Sequence, residues 1–417
     1  MTLGKTQTES RRETEGLCET SASGSATWLG GLSLSTIIIG LVSLLADISS
    51  EMIYPLLPIF ITQTLAAPAT IVGLIEGIAV GTASIVSGVS GWVSDLIGRR
   101  KPVAFAGYVL TAVSRPFIAL AAGWPVVLGA RFADRFGKGI RTAPRDALLS
   151  ETASEQHRGL AFGFERAMDS TGAVLGPLLG LFLFAWVGFN IRNVFLLSAL
   201  PASLASLLIL AVRERRSKVA SGTQGLRGRL AGATRHYWSL LIIIGVFGLG
   251  NSANAFLILR AQGLGLGTRD TIVAYALYNA IAALASIPAG KASDRLGRRD
   301  LLILGFSIYA IAYFGFAAAG SAWLVWPLFA FYGLYPALTD GVAKALAVDA
   351  AGSAGRATAI GLYSVVTGVT QVIASYVGGV LWDKVDPAAT FYFGTALSAI
   401  SVVLLFAMLP SQLHKNE

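Results

Sequence analysis

Apolar runs such as LSLSTIIIGLVSLLA (32–46) and LLIIIGVFGLG (240–250) recur along the whole chain. They lack the alternating pattern of a half-buried strand, and about 20 such residues in succession are enough to cross a bilayer. With no water to bond in lipid, a backbone in such a run must satisfy its own hydrogen bonds, which selects the helix. Only 13% of the 417 residues are charged and 54% are hydrophobic, against about 25% charged in an ordinary soluble domain. The expected fold is therefore an all-α membrane protein.

Apolar windows broken by Gly, Pro and charged clusters predict twelve spans, at 33–62, 69–93, 102–121, 124–143, 158–187, 191–212, 238–262, 271–291, 300–319, 322–345, 356–382 and 388–409. Nineteen Lys and Arg fall in one alternate set of loops and only Arg192, Arg269 and Lys384 in the other. The positive-inside rule then places the basic loops and both termini in the cytoplasm of a multi-pass inner-membrane protein. The +9 net charge is thus a matter of topology, and nucleic acid is not expected as a partner. Residues 1–30 read as a disordered cytoplasmic tail, 31–212 as a first six-helix bundle, 213–237 as a cytoplasmic linker, 238–410 as a second bundle and 411–417 as a second tail. Cys18 is the sole cysteine, with three His and four Met. No disulfide, metal site or cofactor is expected, and no nucleotide loop or nucleophile elbow points to an enzyme.

A charged motif is written twice: GWVSDLIGRR (91–100) and GKASDRLGRR (290–299), 199 positions apart. RGLAFGF (158–164) and RATAIGL (356–362) match at an offset of 198. Two offsets agreeing within one residue indicate a duplicated six-helix unit. Gly91 and Gly290 are expected to admit a neighbouring helix, and Gly98 and Gly297 a tight reversal. Asp95 and Asp294 are anions suited to a helix N-terminus or an arginine, while Arg99, Arg100, Arg298 and Arg299 stay with the anionic leaflet. This Gly-x-x-x-Asp-x-x-Gly-Arg-Arg pattern resembles the loop-2/3 signature of the major facilitator superfamily, over essentially everything after residue 30. The resemblance implies two pseudo-symmetric six-helix bundles, with Asp95 latching them on the cytoplasmic side in the outward-facing state. In span five, Gly172, Gly176, Pro177 and Gly180 resemble the superfamily's exporter signature except that Leu181 replaces its last glycine. In span four, Arg131 and Gly137 fit the family pattern, whereas Asp134 and Arg135 stand where Gln and Gly are usual.

Ionisable residues inside a span cost about 2.5–3.5 kcal/mol each on insertion scales, so each is a functional candidate. The first half holds Asp47, Glu51, Glu76, Arg115, Arg131, Asp134, Arg135, Lys138, Glu165, Arg166 and Asp169; the second has Arg260 and Asp340, with Lys344 near a membrane edge. Ser43, Asp47, Ser50, Glu51 and Tyr54 form one stripe on span one. Asp47, Glu51 and Glu76 are expected to supply a protonatable site, because low dielectric disfavours a charged carboxylate; the competing reading is a set of permanent ion pairs, Asp134 with Arg135 and Glu165 with Arg166 among them. Asn251, Asn254, Tyr335 and Asp340, with Tyr54, are candidate substrate contacts. The expectation is a monomeric secondary transporter with a small-molecule substrate and protons as its partners, working by antiport and exporting a small organic or cationic compound. The alternatives are an organic-anion carrier clamping its substrate with Arg115 and Arg131, and a non-transporting sensor or scaffold.

Overall fold

The computed structural model describes residues 27–28, 32–97, 99–153, 157–214, 233–352 and 356–409. The side chains of 27–28, 91–97, 294 and 356–357 fall outside that description. The chain forms long helices α1 (Leu34–Thr64), α2 (Ala69–Ile97), α3 (Lys101–Ala119), α4 (Trp124–Thr152), α5 (Arg158–Ala185) and α6 (Ile191–Ala211). A second set follows: α7 (Arg235–Gly263), α8 (Thr268–Leu296), α9 (Arg298–Ala318), α10 (Ala322–Ala350), α11 (Arg356–Lys384) and α12 (Pro387–Met408). Among the described residues, eleven of these are long and apolar enough to cross a membrane. The exception is α4, whose Arg131, Asp134, Arg135, Lys138, Arg141 and Arg145 make it too polar to face lipid on that side. It can stand in a membrane only with those residues turned inward.

Local chemistry sets the helix ends. The Ser33 hydroxyl accepts from Thr36 N at the start of α1, and Thr234 caps α7 through Tyr237 N; each satisfies an amide that a helix start leaves without a partner. That cap starts α7 at Arg235, so the final residues of the predicted linker are helical, while 215–232 lie outside the described residues. The predicted disordered tail also needs correction. Thr27–Trp28 pair antiparallel with Leu32–Ser33, and residues 1–26 are outside the description.

The duplication is visible in the backbone. In α1 the regular helix stops after Ile53 and resumes at Leu57, where Pro55 removes an amide donor; in α7 it stops after Gly250 and resumes at Ala255. The two breaks start 197 and end 198 positions apart. The offset is 199 at the start and end of α2 and α8, and 198 at the start and end of α4 and α10. Between α8 and α9 the turn is a single residue, against residues 98–100 between α2 and α3. Gly297 makes that shorter turn alone, at φ +91°, where a side chain would be strained.

The two halves meet along α2 and α11, and the seam is a wedge. A Cβ placed on Gly73 would stand 2.1 Å from Ser375 O, and one on Gly81 would be 2.4 Å from Val372 Cγ2. Further along, Gly88 would reach only Gly361 Cα at 4.0 Å, and Gly361 itself meets nothing. The halves are in contact at the end away from the basic loops and part towards them. At the closed end Asp383 of α11 accepts from Ala69 N (3.1 Å), Thr70 N (2.7 Å) and Thr70 Oγ1 (2.6 Å), an anion seated on the positive N-terminus of α2. Gln63 bonds Gln262 at 2.9 Å nearby.

Two substitutions of the same residue type should behave oppositely. Gly73→Ala forces backbone apart and is expected to destabilise by about 1–3 kcal/mol, read as a lower unfolding temperature in detergent. Gly290→Ala enters open space within α8 and should raise that temperature slightly, because a glycine costs about 0.5–1 kcal/mol inside a helix.

Candidate functional site

The deepest charges form one network inside the first half. Arg131 holds Glu76 Oε1 through Nη2 (2.6 Å) and Nε (3.1 Å), and Asp134 Oδ2 through Nη1 (3.1 Å). Arg115 reaches Asp134 Oδ1 at 3.1 Å and Ser50 Oγ at 3.0 Å. Both arginine side chains are 0% exposed. Three helices thus pool their charges, α2 through Glu76, α3 through Arg115 and α4 through Arg131 and Asp134, and α1 adds the Ser50 hydroxyl. Asp134 pairs chiefly with Arg115 and Arg131; Arg135 Nε lies 3.8 Å away. Glu76, grouped in the sequence with Asp47 and Glu51, belongs instead to this sealed cluster. Arg115 and Arg131 likewise do not reach a cavity, so they offer no clamp for an anionic substrate.

A second set faces the space between the halves, and the α5 glycines put it there. A Cβ on Gly172 would lie 2.7 Å from Leu44 O and 3.0 Å from Asp47 Cβ; on Gly176, 2.6 Å from Glu51 Cβ; on Gly180, 2.8 Å from Met52 O. The stripe, with Pro177 inside the helix, lets α5 lie directly on the acidic face of α1. This packing sets Asp47 of α1 and Asp169 of α5 near enough for their charges to interact, with Lys138 Nζ of α4 3.6 Å from Asp47 and Arg166 Nη1 3.1 Å from Asp169. Glu51 accepts from Tyr275 Oη of α8 at 3.1 Å, a bond across the halves, and Tyr54 stacks on the same ring at 5.4 Å. Glu165 pairs with Arg145 Nη1 (2.9 Å) and accepts from Ser43 Oγ (2.7 Å). It does not pair with Arg166, which turns to Asp169.

The second half answers with tyrosines. Where α7 unwinds, Tyr309 Oη donates to Gly250 O (2.9 Å) and Tyr313 Oη to Ser252 O (3.3 Å), satisfying carbonyls the broken helix frees. Asn251 Nδ2 bonds Tyr335 Oη, Asn254 Nδ2 bonds Tyr278 Oη, and Tyr332 Oη donates to Asn254 Oδ1. Asn251, Asn254 and Tyr335 therefore hold this lattice together. Of the second-half candidates, Asp340 lines the cavity, a cleft of about 430 Å³ between α5, α8 and α10 that Arg166, Asp169, Tyr278 and Asn279 also border.

The charged loops tie helix ends together. Arg100 bonds Glu151 at the end of α4 (2.6 Å) while Lys101 Nζ reaches Leu210 O and Val212 O at the end of α6 (2.9 Å to Val212 O). In the second copy Arg298 pairs with Asp349 at the end of α10, and Arg299 donates to Leu405 O (3.2 Å) and Phe406 O (3.3 Å) at the end of α12. Arg298 and Arg299 are thus engaged with protein, where the sequence leaves them to lipid. By contact, Arg298 corresponds to Arg100, one position off the pairing of the doubled motif, and Arg99 is exposed. Gly290 has no neighbour within 4 Å, so the expected close helix approach does not occur there. Gly98 and the side chains of Gly91, Asp95 and Asp294 are outside the described residues.

Tyr275, Tyr278 and Asn279, at i, i+3 and i+4 on one face of α8, went unmarked in the sequence, as did Asp383. A polar triplet in an otherwise apolar span was the available signal for the first three.

Comparison with known proteins places this geometry. The family model described as Major Facilitator Superfamily matches residues 39–281 and 239–417. An uncharacterized MFS-type transporter of Methanocaldococcus jannaschii is 34% identical over 380 residues, covering 90% of this chain and 94% of its own. Multidrug resistance protein 1 of Bacillus subtilis is 25% identical, covering 87% and 93%. Among solved structures, the nucleoside transporter NupG superposes with a TM-score of 0.76 at 14% identity, over 90% of this chain and 100% of that one. A D-xylose-proton symporter gives 0.72 at 17%, over 90% and 97%.

Two results follow from the geometry. Arg131→Met strands Glu76 without its partner and should cost about 3–5 kcal/mol, read as a large fall in unfolding temperature, with Asp47→Asn near wild type. At the closed end, Cys replacements at Gln63 and Gln262 in a Cys18→Ser background should cross-link readily, and adding Asp383→Ala should lower the cross-linked fraction.

Proposed function

The chain belongs to the major facilitator superfamily, and on that premise we propose that it is a proton-coupled antiporter of the inner membrane exporting a small organic cation. The observation that carries this reading is the close packing of α5 on the acidic face of α1, which sets Asp169 beside Asp47. Two neighbouring carboxyls in low dielectric favour a proton on one of them, because two negative charges there repel each other. Lys138, Arg141 and Arg145 of α4, Glu51 of α1 and Arg166 of α5 are the charged groups around the pair.

With the basic loops in the cytoplasm, a seam closed at the opposite end and parting towards those loops is an inward-facing arrangement. A cation entering the cleft beside Asp169 supplies the positive charge that the shared proton had provided. The proton then leaves to the cytoplasm, and both carboxylates are balanced by the cation, Lys138 and Arg166. Rocking of the halves breaks the Glu51–Tyr275 and Asp383–Thr70 bonds and opens the other side. There the cation leaves and a proton from outside restores the pair. The multidrug resistance names among the relatives agree with export. The anion-carrier reading has less behind it, since the two guanidiniums it relied on are engaged by Glu76 and Asp134.

Everted membrane vesicles energised to an acidic interior, with a pH-gradient dye, test the proposal. Addition of an exported amine should collapse the gradient in wild type. Asp47→Asn and Asp169→Asn should each reduce that response about tenfold or more, the loss of one group required for exchange. Full responses from both variants would refute the proton seat.

A further inference from the structure

Of the groups bordering the cleft, Asp340 stands apart. Among the described residues it has no ion-pair partner within 4.0 Å. The nearest positive charges are Lys344, one turn further along α10, and Arg166 on the opposite wall, and Arg166 is already engaged by Asp169 at 3.1 Å. A carboxylate on the wall of a cleft inside a membrane protein is a candidate seat for a positive charge.

The remaining wall carries one further cation, Arg298, which is engaged by Asp349 and Ala345 O, and the serines Ser170, Ser286 and Ser293. Asn279 spends its amide on Ala173 O at 2.9 Å, leaving its carbonyl oxygen unused, and Ser286 donates to Ala282 O at 2.6 Å, leaving its lone pairs. Between these polar groups the lining is Ala, Gly, Pro and Val, with no Leu, Ile, Met or Phe, and Tyr278 is its only aromatic ring. Sites for lipophilic compounds are lined mainly by large apolar and aromatic side chains. This one would expose a lipophilic cation to polar groups without offering apolar area in return.

We infer that the cleft seats a hydrophilic organic cation, a protonated amine bearing further hydrogen-bond donors, with its ammonium on Asp340 and its other donors on Asn279 and Ser286. This rests on the antiport reading and narrows its cargo: the amine seat lies on the second half while the proton seat lies on the first. Cargo and proton then compete through charge across the cleft and not for one carboxylate. A specificity of this kind differs from what the multidrug names of the relatives describe.

The test uses purified full-length protein in detergent and a panel of glucosamine, ethanolamine and putrescine, their N-acetyl counterparts, and tetraphenylphosphonium. At least one hydrophilic amine should raise the unfolding temperature of wild type, with its N-acetyl form inert. Asp340→Asn should weaken that amine's apparent affinity about ten- to a hundredfold, the loss of a charge-assisted hydrogen bond, and Asp340→Glu should restore most of it. Stabilisation by tetraphenylphosphonium alone, by no amine at all, or undiminished by Asp340→Asn would overturn the assignment. The vesicle assay separates the two readings. If some cation still collapses the gradient in an Asp47-dependent way while Asp340→Asn is silent on binding, the antiporter stands and only the cargo seat falls.

Discussion

Lipid does not tolerate an unanswered charge, and the whole first half is organised around that prohibition. Helix α4 could not be placed in a membrane by itself. It becomes admissible because α2 brings Glu76 to Arg131, α3 brings Arg115 to Asp134 and α1 brings Ser50 to Arg115. A pair of this kind adds little net stability over apolar packing, yet removing one partner is severe. The network therefore acts as a condition on assembly: the four helices are compatible with the bilayer only when docked in one register. Around that fixed centre the more exposed acids, Asp47, Glu51 and Asp169, are left to do something other than hold the bundle.

The duplicated unit has kept its backbone plan and changed its chemistry. Both halves break their first helix at the same place, and both bind the start of the third helix to the ends of the fourth and sixth with a pair of basic residues. Yet one half fills its interior with ion pairs and the other with tyrosines. Tyr309 and Tyr313 serve the freed carbonyls of α7 without bringing any net charge. The second half can thus carry Asp340 on its cleft wall without an ion-pair partner among the described residues, its field not masked by a network around it.

Much of this was legible in the sequence because membrane spans write themselves as length and apolarity, and the repeat as a doubled motif. The stripe on α1 and the glycines of α5 could each be seen, though not that one packs on the other, since helix pairing is a matter of three-dimensional neighbours. Partner choice was the least legible part. Glu165 has Arg166 beside it in sequence, but successive helical residues point about 100° apart, and the pair forms with Arg145 of another helix instead. Glu76 was misgrouped for the same reason: depth along a span can be counted from the sequence, whereas which side of the bundle a helix face meets cannot. Gly290 shows the limit of motif transfer, being a glycine with nothing pressed against it.

That empty space has a meaning for the wedge between α2 and α11. Gly73, Gly77 and Gly81 are in use, crowded by backbone from the facing helix, whereas Gly88, Gly361 and Gly290 are idle. A glycine within a helix carries an entropic penalty relative to alanine, which contact can offset only where contact exists. The idle positions are accounted for if a facing helix reaches them in another arrangement of the halves, the tight zone migrating from one end of the seam to the other like the fulcrum of a seesaw shifted along its plank. A 29-residue helix such as α2 is about 44 Å long at 1.5 Å per residue, so a modest tilt about one end carries the far end several ångströms.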